Sequence, residues 1–216
     1  GDHRDLHSVP TRRSSDLRTD ADPPALRLPR PGMELDLGAI AKGHAVDLAW
    51  QRLADAGHTN LLVDLGGNLR ALGEAAPGRG GWPTGVRDPF VRGTLAATFL
   101  LRCGEAVATS GNYERFVEIG GVRHAHIMDP RTARPVTGMA GATVVAPDAL
   151  TADALSTALF ILGPEKGADL LRRHPGSEAL WIPDIPNAPT LIATPGMASR
   201  LVLPSDTLYT LTVLRP

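Results

Sequence analysis

Three oxygen-bearing side chains, Asp153, Ser156 and Thr157, lie three and four residues apart in the otherwise apolar run TADALSTALFILG (residues 151–163). Positions so spaced are neighbours on a helix surface, so the pattern turns all three toward one spot. A carboxylate with two hydroxyls suits a hard metal ion such as magnesium. The same residues also suit a plain helix start, with Thr151 as N-cap and Asp153 complementing the dipole. Upstream, ELDLGAIAKG (34–43) turns through Gly38 into a helix whose first turn carries Lys42 and Gly43. Free amides and an ammonium there favour an anion, phosphate first, although the GxxxxGK[ST] spacing is absent and a simple turn is the alternative. In HAHIMDPRTARPV (124–136), His124 and His126 share one face of a strand. Either is a candidate general base, or both are surface imidazoles; a zinc site lacks a third nitrogen or sulfur ligand. Gly66 and Gly67 in VDLGGNL permit a close ligand approach or a bulge, and Thr109, Ser110 and Gly111 in VATSGNYERF expose hydroxyls and amides in a turn without a GxSxG elbow. Phosphoryl-type transfer needs a metal, a phosphate cradle and a base together, and this chain carries candidates for all three.

The elements that must position these groups follow from the hydrophobic periods. Ile40, Ala41, Val46, Ala49, Trp50 and Leu53 recur at helical spacing until Gly57, predicting an amphipathic helix. NLLVDLGG and NLRALG read as a hairpin, and residues 74–83 as a loop. TGVRDP, TLAATFLLRCG, AVATSG and RFVEIGGVRHA read as short strands, the last folded at IGG. ATVVAP is a buried strand, 151–174 a helix broken at Gly163-Pro164, and EALWIP, TLIAT and LYTLTVL closing strands. Meandering strands with two substantial helical regions predict an α+β fold. Residues 34–216 form the expected domain, preceded by an extended Pro/Arg-rich lead-in over 18–33. Residues 4–17, RDLHSVPTRRSSDL, have no helical or strand period and resemble a translated adapter. The first 17 residues are therefore expected to be foreign to the fold, the alternative being a disordered Arg/Ser arm.

Composition removes several function classes. Lys plus Arg is 22 against 23 for Asp plus Glu, and four Phe, two Tyr and three Trp leave little for base stacking, so nucleic acid is not an expected partner. No run approaches the roughly 18–20 apolar residues of a transmembrane helix. The single Cys103 excludes an internal disulfide and is expected to be a small apolar strand residue.

Taken together and in order, ELDLGAIAKGHAVD, NLLVDLGGNLRALG, VATSGNYERF, HIMDPRTARPV and TVVAPDALTADALSTALFILG resemble the FAD:protein FMN transferase family, also called ApbE, over residues 30–175. The resemblance implies mostly antiparallel strands packed on a few helices. It implies an enzyme that splits FAD at its pyrophosphate, moves FMN onto a threonine hydroxyl of a partner flavoprotein, releases AMP and requires magnesium. FAD pyrophosphatase activity and an inactive flavin-binding fragment are the alternatives. On this resemblance Asp36, Lys42 and Met128 contact FAD, and Gly66, Gly67, Thr109, Ser110 and Gly111 are further nucleotide-binding positions. The Ala39 backbone oxygen, Asp153 and Thr157 hold the metal, with Ser156 where some members have a second Asp, and His126 is the catalytic base. Asn112 and Ala133 stand where an acidic residue and a glycine are common. The family's N-terminal third, with part of its flavin pocket, is expected to be absent from this chain. A periplasmic or outer-surface, membrane-associated setting is also implied.

Overall fold

The structure, a computed structural model, describes residues 17–18, 25–26, 31–32, 34–112, 116–119, 122–125 and 127–214. In chain order the elements are β1 (Leu17–Arg18), β2 (Ala25–Leu26), α1 (Ala41–Asp55), β3 (Leu61–Leu65), β4 (Asn68–Leu72), β5 (Trp82–Arg87), β6 (Leu95–Leu101), β7 (Ala106–Gly111), β8 (Phe116–Ile119) and β9 (Val122–Ala125). They continue with β10 (Met128–Asp129), β11 (Arg134–Pro135), β12 (Met139–Ala146), α2 (Ala149–Leu171), β13 (Glu178–Pro183), β14 (Thr190–Ala193), α3 (Pro195–Ala198) and β15 (Thr210–Val213). A seven-stranded sheet of order β15-β14-β13-β12-β7-β4-β3 is antiparallel throughout except for the parallel pair β14–β15. This is the α+β architecture expected.

All eight residues of β12 are buried, as a strand covered on both faces requires. One face carries α1 and α2 over Ala106, Ala108, Val144 and Trp181. The other carries the β5–β6 hairpin and α3 over Val107, Val145, Leu180 and Leu191. Strand alternation therefore sorts every side chain of β7 and β12 to the helix face or to the hairpin face. Large side chains such as Trp181, Phe160 and Leu159 are fully buried, each contributing about 1.5–3 kcal/mol.

The hairpin expected from NLLVDLGGNLRALG is present, with Leu65 opposite Asn68. Gly66 and Gly67, at φ 60° and 88°, form the two-residue turn rather than a bulge, because two successive left-handed residues match the twist of paired strands. α1 ends as expected: Gly57 sits at φ 89°, and the Gly57 and His58 amides donate to the Ala54 and Leu53 carbonyls. Its apolar face is narrower than its periodicity implies, since only Gly43 and Val46 are buried and Leu53 is exposed.

α2 begins before the residue expected to cap it. Asp148 is the N-cap and takes both the Thr151 amide, at 2.7 Å, and the Thr151 hydroxyl, at 2.9 Å. The expected break is present at Gly163, whose φ of 73° and ψ of 179° admit only glycine. Pro164 supplies no N–H to the preceding turn, and Trp181 Nε1 donates to the Leu159 carbonyl at 3.1 Å. Two further expectations fail. Thr109, Ser110 and Gly111 lie within β7 rather than in a turn, because pairing with β12 continues to Gly111 opposite Gly141. Cys103 is exposed in the turn before β7, where its sulfur accepts the Gly73 amide.

α1 and α2 cross at Gly43. A Cβ there would come within 2.8 Å of Asp153 Cβ and nearer still to the Ala149 carbonyl oxygen. Gly43→Ala is therefore expected to lower unfolding free energy by about 2–3 kcal/mol, read as a shift of the urea midpoint; an unchanged midpoint would mean that the helices do not meet there. Ala133 behaves oppositely. It closes the β10–β11 turn at φ 55°, its amide bonded to the Asp129 carbonyl at 2.8 Å. Since the left-handed region penalises a Cβ, Ala133→Gly should raise stability by about 0.5–1 kcal/mol in the same assay.

Candidate functional site

Where α1 and α2 cross, each helix satisfies the other's N-terminus. Asp47, on α1, accepts the Ala149 and Leu150 amides of α2, both at 2.9 Å. Asp153, on α2, accepts the Gly43 amide of α1, also at 2.9 Å. With Asp148 on Thr151, the first three amides of α2 are all held by carboxylates. Arg70 of β4 completes the junction. Its guanidinium pairs with Asp47 at 2.7 Å and lies 4.1 Å above the Trp50 ring.

One consequence concerns Ala39. It lies in the turn before α1, outside the helix, and the Gly43 amide, a first-turn donor with no helical acceptor, goes to Asp153. Asp153 is only 4% exposed, while Thr157, one turn further along α2, is half-buried at its side. Thr157 Oγ1 and Ser110 Oγ are 3.0 Å apart. Ser156 is fully buried, its hydroxyl 2.9 Å from Ser110 and donating to the Asp153 carbonyl. Ser110 thus meets the hydroxyls of both Ser156 and Thr157 and ties β7 to α2. Lys42, in the first turn of α1, donates from Nζ to Asn68 Oδ1 at 2.9 Å.

The remaining expected positions separate across the sheet. Thr109 faces the hairpin side, hydrogen-bonded to Thr143 at 2.9 Å, while its neighbour Ser110 faces the helices. Gly66, Gly67, Thr109 and Gly111 line a cavity of about 250 Å³ on the hairpin side, with Asp64 and Thr143. Asp36 is exposed and binds its own turn, accepting the Gly38 amide at 2.7 Å. Met128 is 48% exposed on β10, opposite Pro135. His126 lies outside the described residues, and β9 places only the backbone of His124. Next to this segment, Arg131 hydrogen-bonds Asp129 through side chain and amide and holds its carboxyl below the ordinary aspartate range. That support is present above the usual aspartate pKa and is lost as pH falls through the lowered one. Asn112 donates to the Met139 carbonyl and to Asp184, so an acidic residue there would face a like charge.

Asp153, Thr157 and the Ala39 carbonyl, the positions expected to hold a metal, are oxygen donors with one carboxylate among them. That chemistry suits magnesium, which needs few protein ligands when a phosphate supplies others, better than a metal that prefers thiolate or imidazole. Among the described residues, no three His, Cys, Asp or Glu side chains are grouped to hold a metal by themselves. Asp47, Asn68 and Arg70 were not singled out from sequence. The available signal was an acidic residue, Asp47, in an apolar helical run, and the polar Asn68 and Arg70 two apart on one face of a strand.

A model of the ApbE family matches residues 4–181. The FAD:protein FMN transferase of Treponema pallidum is 46% identical over 168 residues, covering 74% of this chain and 46% of that protein. The FAD:protein FMN transferase of Rhodobacter capsulatus is 40% identical over 176 residues, covering 82% and 32%. Among solved structures, the ApbE protein of Thermotoga maritima superposes with a TM-score of 0.63 at 39% identity, over 71% of this chain and 50% of that one. The flavin transferase ApbE of Vibrio cholerae gives 0.73 at 28% identity, over 86% and 58%. The chain spans about half the length of the curated relatives it matches, or less.

The helix junction makes a direct prediction. Asp47→Ala strips two amide caps and leaves the half-buried Arg70 without its carboxylate, so stability should fall by about 2–4 kcal/mol. A loss below about 1 kcal/mol in equilibrium urea unfolding would show that the α2 N-terminus is held otherwise.

Proposed function

The chain belongs to the ApbE family, and from that premise we propose that it transfers FMN from FAD to a threonine hydroxyl of a partner flavoprotein, releasing AMP. In this reading the threonine oxygen bonds the phosphorus that carries riboflavin, the pyrophosphate P–O bond breaks, and AMP leaves with the electron pair. Magnesium, when bound, would neutralise charge on the pyrophosphate. Ala39, Asp153 and Thr157 would hold it. Ser110 and Ser156 fix the rotamer of Thr157 and the fit of β7 against α2, so the oxygens need not reorganise when the ion enters. Lys42 supplies positive charge at the start of α1, where the helix dipole adds to it. His126 takes the proton of the attacking hydroxyl.

The observation that supports the proposal is the Asp153–Gly43 hydrogen bond, which holds a buried carboxylate against the first turn of α1, next to Lys42 in sequence. Asp36, Met128 and the positions lining the hairpin-side cavity, Gly66, Gly67, Thr109 and Gly111, are the further flavin contacts of this proposal. The periplasm or outer cell surface is its setting. No helix among the described residues is long and apolar enough to cross a membrane.

The test uses the purified chain with FAD, magnesium and a threonine-bearing acceptor domain, reading flavin fluorescence on the denatured acceptor and AMP by chromatography. Equimolar labelling and AMP are expected. AMP without labelling would make the chain a pyrophosphatase, and neither product would overturn both readings. Asp153→Asn keeps an oxygen for the Gly43 amide but removes the charge. It should reduce turnover at limiting magnesium by about tenfold or more while shifting stability by less than about 1 kcal/mol; an unaltered magnesium dependence would remove Asp153 as a ligand.

A further inference from the structure

We propose that Asn68 is a positioning residue for Lys42, and that its amide oxygen sets how tightly the site takes the pyrophosphate of FAD; this rests on the reading of Lys42 as a nucleotide contact. Asn68 is the first residue of β4, placed by the Gly66-Gly67 turn, and it is 1% exposed. Its Oδ1 accepts Lys42 Nζ at 2.9 Å across 26 positions of sequence. An ammonium has donors and no acceptor, so the oxygen must face it and the orientation of the amide is not free. The Nδ2 group is forced to the other side, where it is buried and has no hydrogen-bond partner among the described residues.

A buried N–H left unpaired is unfavourable, so packing alone gives no reason for an amide at this position. An apolar side chain of the same size would fill the space without the orphan donor. What such a side chain lacks is the oxygen that Lys42 uses. A lysine has four rotatable side-chain bonds, and ordering them when a ligand arrives weakens binding; an acceptor already in place removes that loss. The alternation of β4 explains why the contact is available. Asn68 and Arg70 point to the same sheet face and meet α1 at Lys42 and Asp47, so the strand holds the first two turns of the helix at two points.

The test is FAD affinity in the presence of magnesium, by equilibrium dialysis, for the full chain and its variants, each checked first by thermal unfolding. Asn68→Leu should weaken FAD binding by about tenfold, and Asn68→Gln, which keeps a neutral amide oxygen for Lys42, should recover affinity to within about threefold. Asn68→Ala replaces Asn68→Leu if the latter does not fold. On a Lys42→Ala background, Asn68→Leu should cause no further loss, since the two act as one unit. Unchanged affinity in Asn68→Leu, or an equal loss on both backgrounds, would overturn the inference and leave the functional reading standing. A wild-type chain that binds no FAD would overturn both.

Discussion

The hydrogen bond from the Gly43 amide to the Asp153 carboxylate is the constraint on which the site depends. It is possible only because residue 43 has no Cβ, which would otherwise strike the backbone of Ala149 and the Asp153 side chain. A carboxylate nearly removed from water is unfavourable unless dipoles and donors surround it. Here the positive end of α1 does so. Asp47 reciprocates on α2, and Arg70 and Trp50 close that half of the junction from β4 and α1. Each helix start is therefore incomplete without the other, and Asp153, with Thr157 one turn along α2, is held against the start of α1 by that mutual dependence.

The sheet divides the remaining groups. Because β7 alternates, Ser110 joins Ser156 and Thr157 under the helices, while Thr109 joins Thr143 beside the hairpin-side cavity. Gly111, at the end of β7, borders that cavity, and Gly66 and Gly67 approach it from the β3–β4 turn. A flavin nucleotide that used both sets would have to pass around the strand ends, since β12 and β7 are paired along their length between the two faces.

Local chemistry was legible where one residue type decides the backbone. Gly66-Gly67 made a hairpin, Gly57 ended α1, and Gly163-Pro164 broke α2, each through a dihedral or a missing donor that the residue itself carries. EALWIP and TLIAT were recognisable as strands from their apolar content. What was not legible depends on partners distant in sequence. Thr151 is a good N-cap in isolation, yet Asp148 precedes it and can hold both its amide and its hydroxyl. The spacing of Asp153, Ser156 and Thr157 gives no sign that Ser110, 46 residues away from Ser156, meets two of their hydroxyls. No local signal shows that Asp47 lies against Ala149, 102 residues away. Residues 4–17, read as foreign, and His126 lie outside the described residues, apart from Leu17 in β1.

The claim that the two helix starts hold one another is tested most directly by native-state hydrogen exchange at single amides. First-turn helix amides ordinarily exchange fast because no intrahelical carbonyl accepts them. The account predicts that the Gly43, Ala149 and Leu150 amides, bound instead to Asp153 and Asp47, exchange only with the global opening of the fold. Exchange of these three at the rate of free helix ends, while Trp181 and the other core amides stay protected, would contradict it.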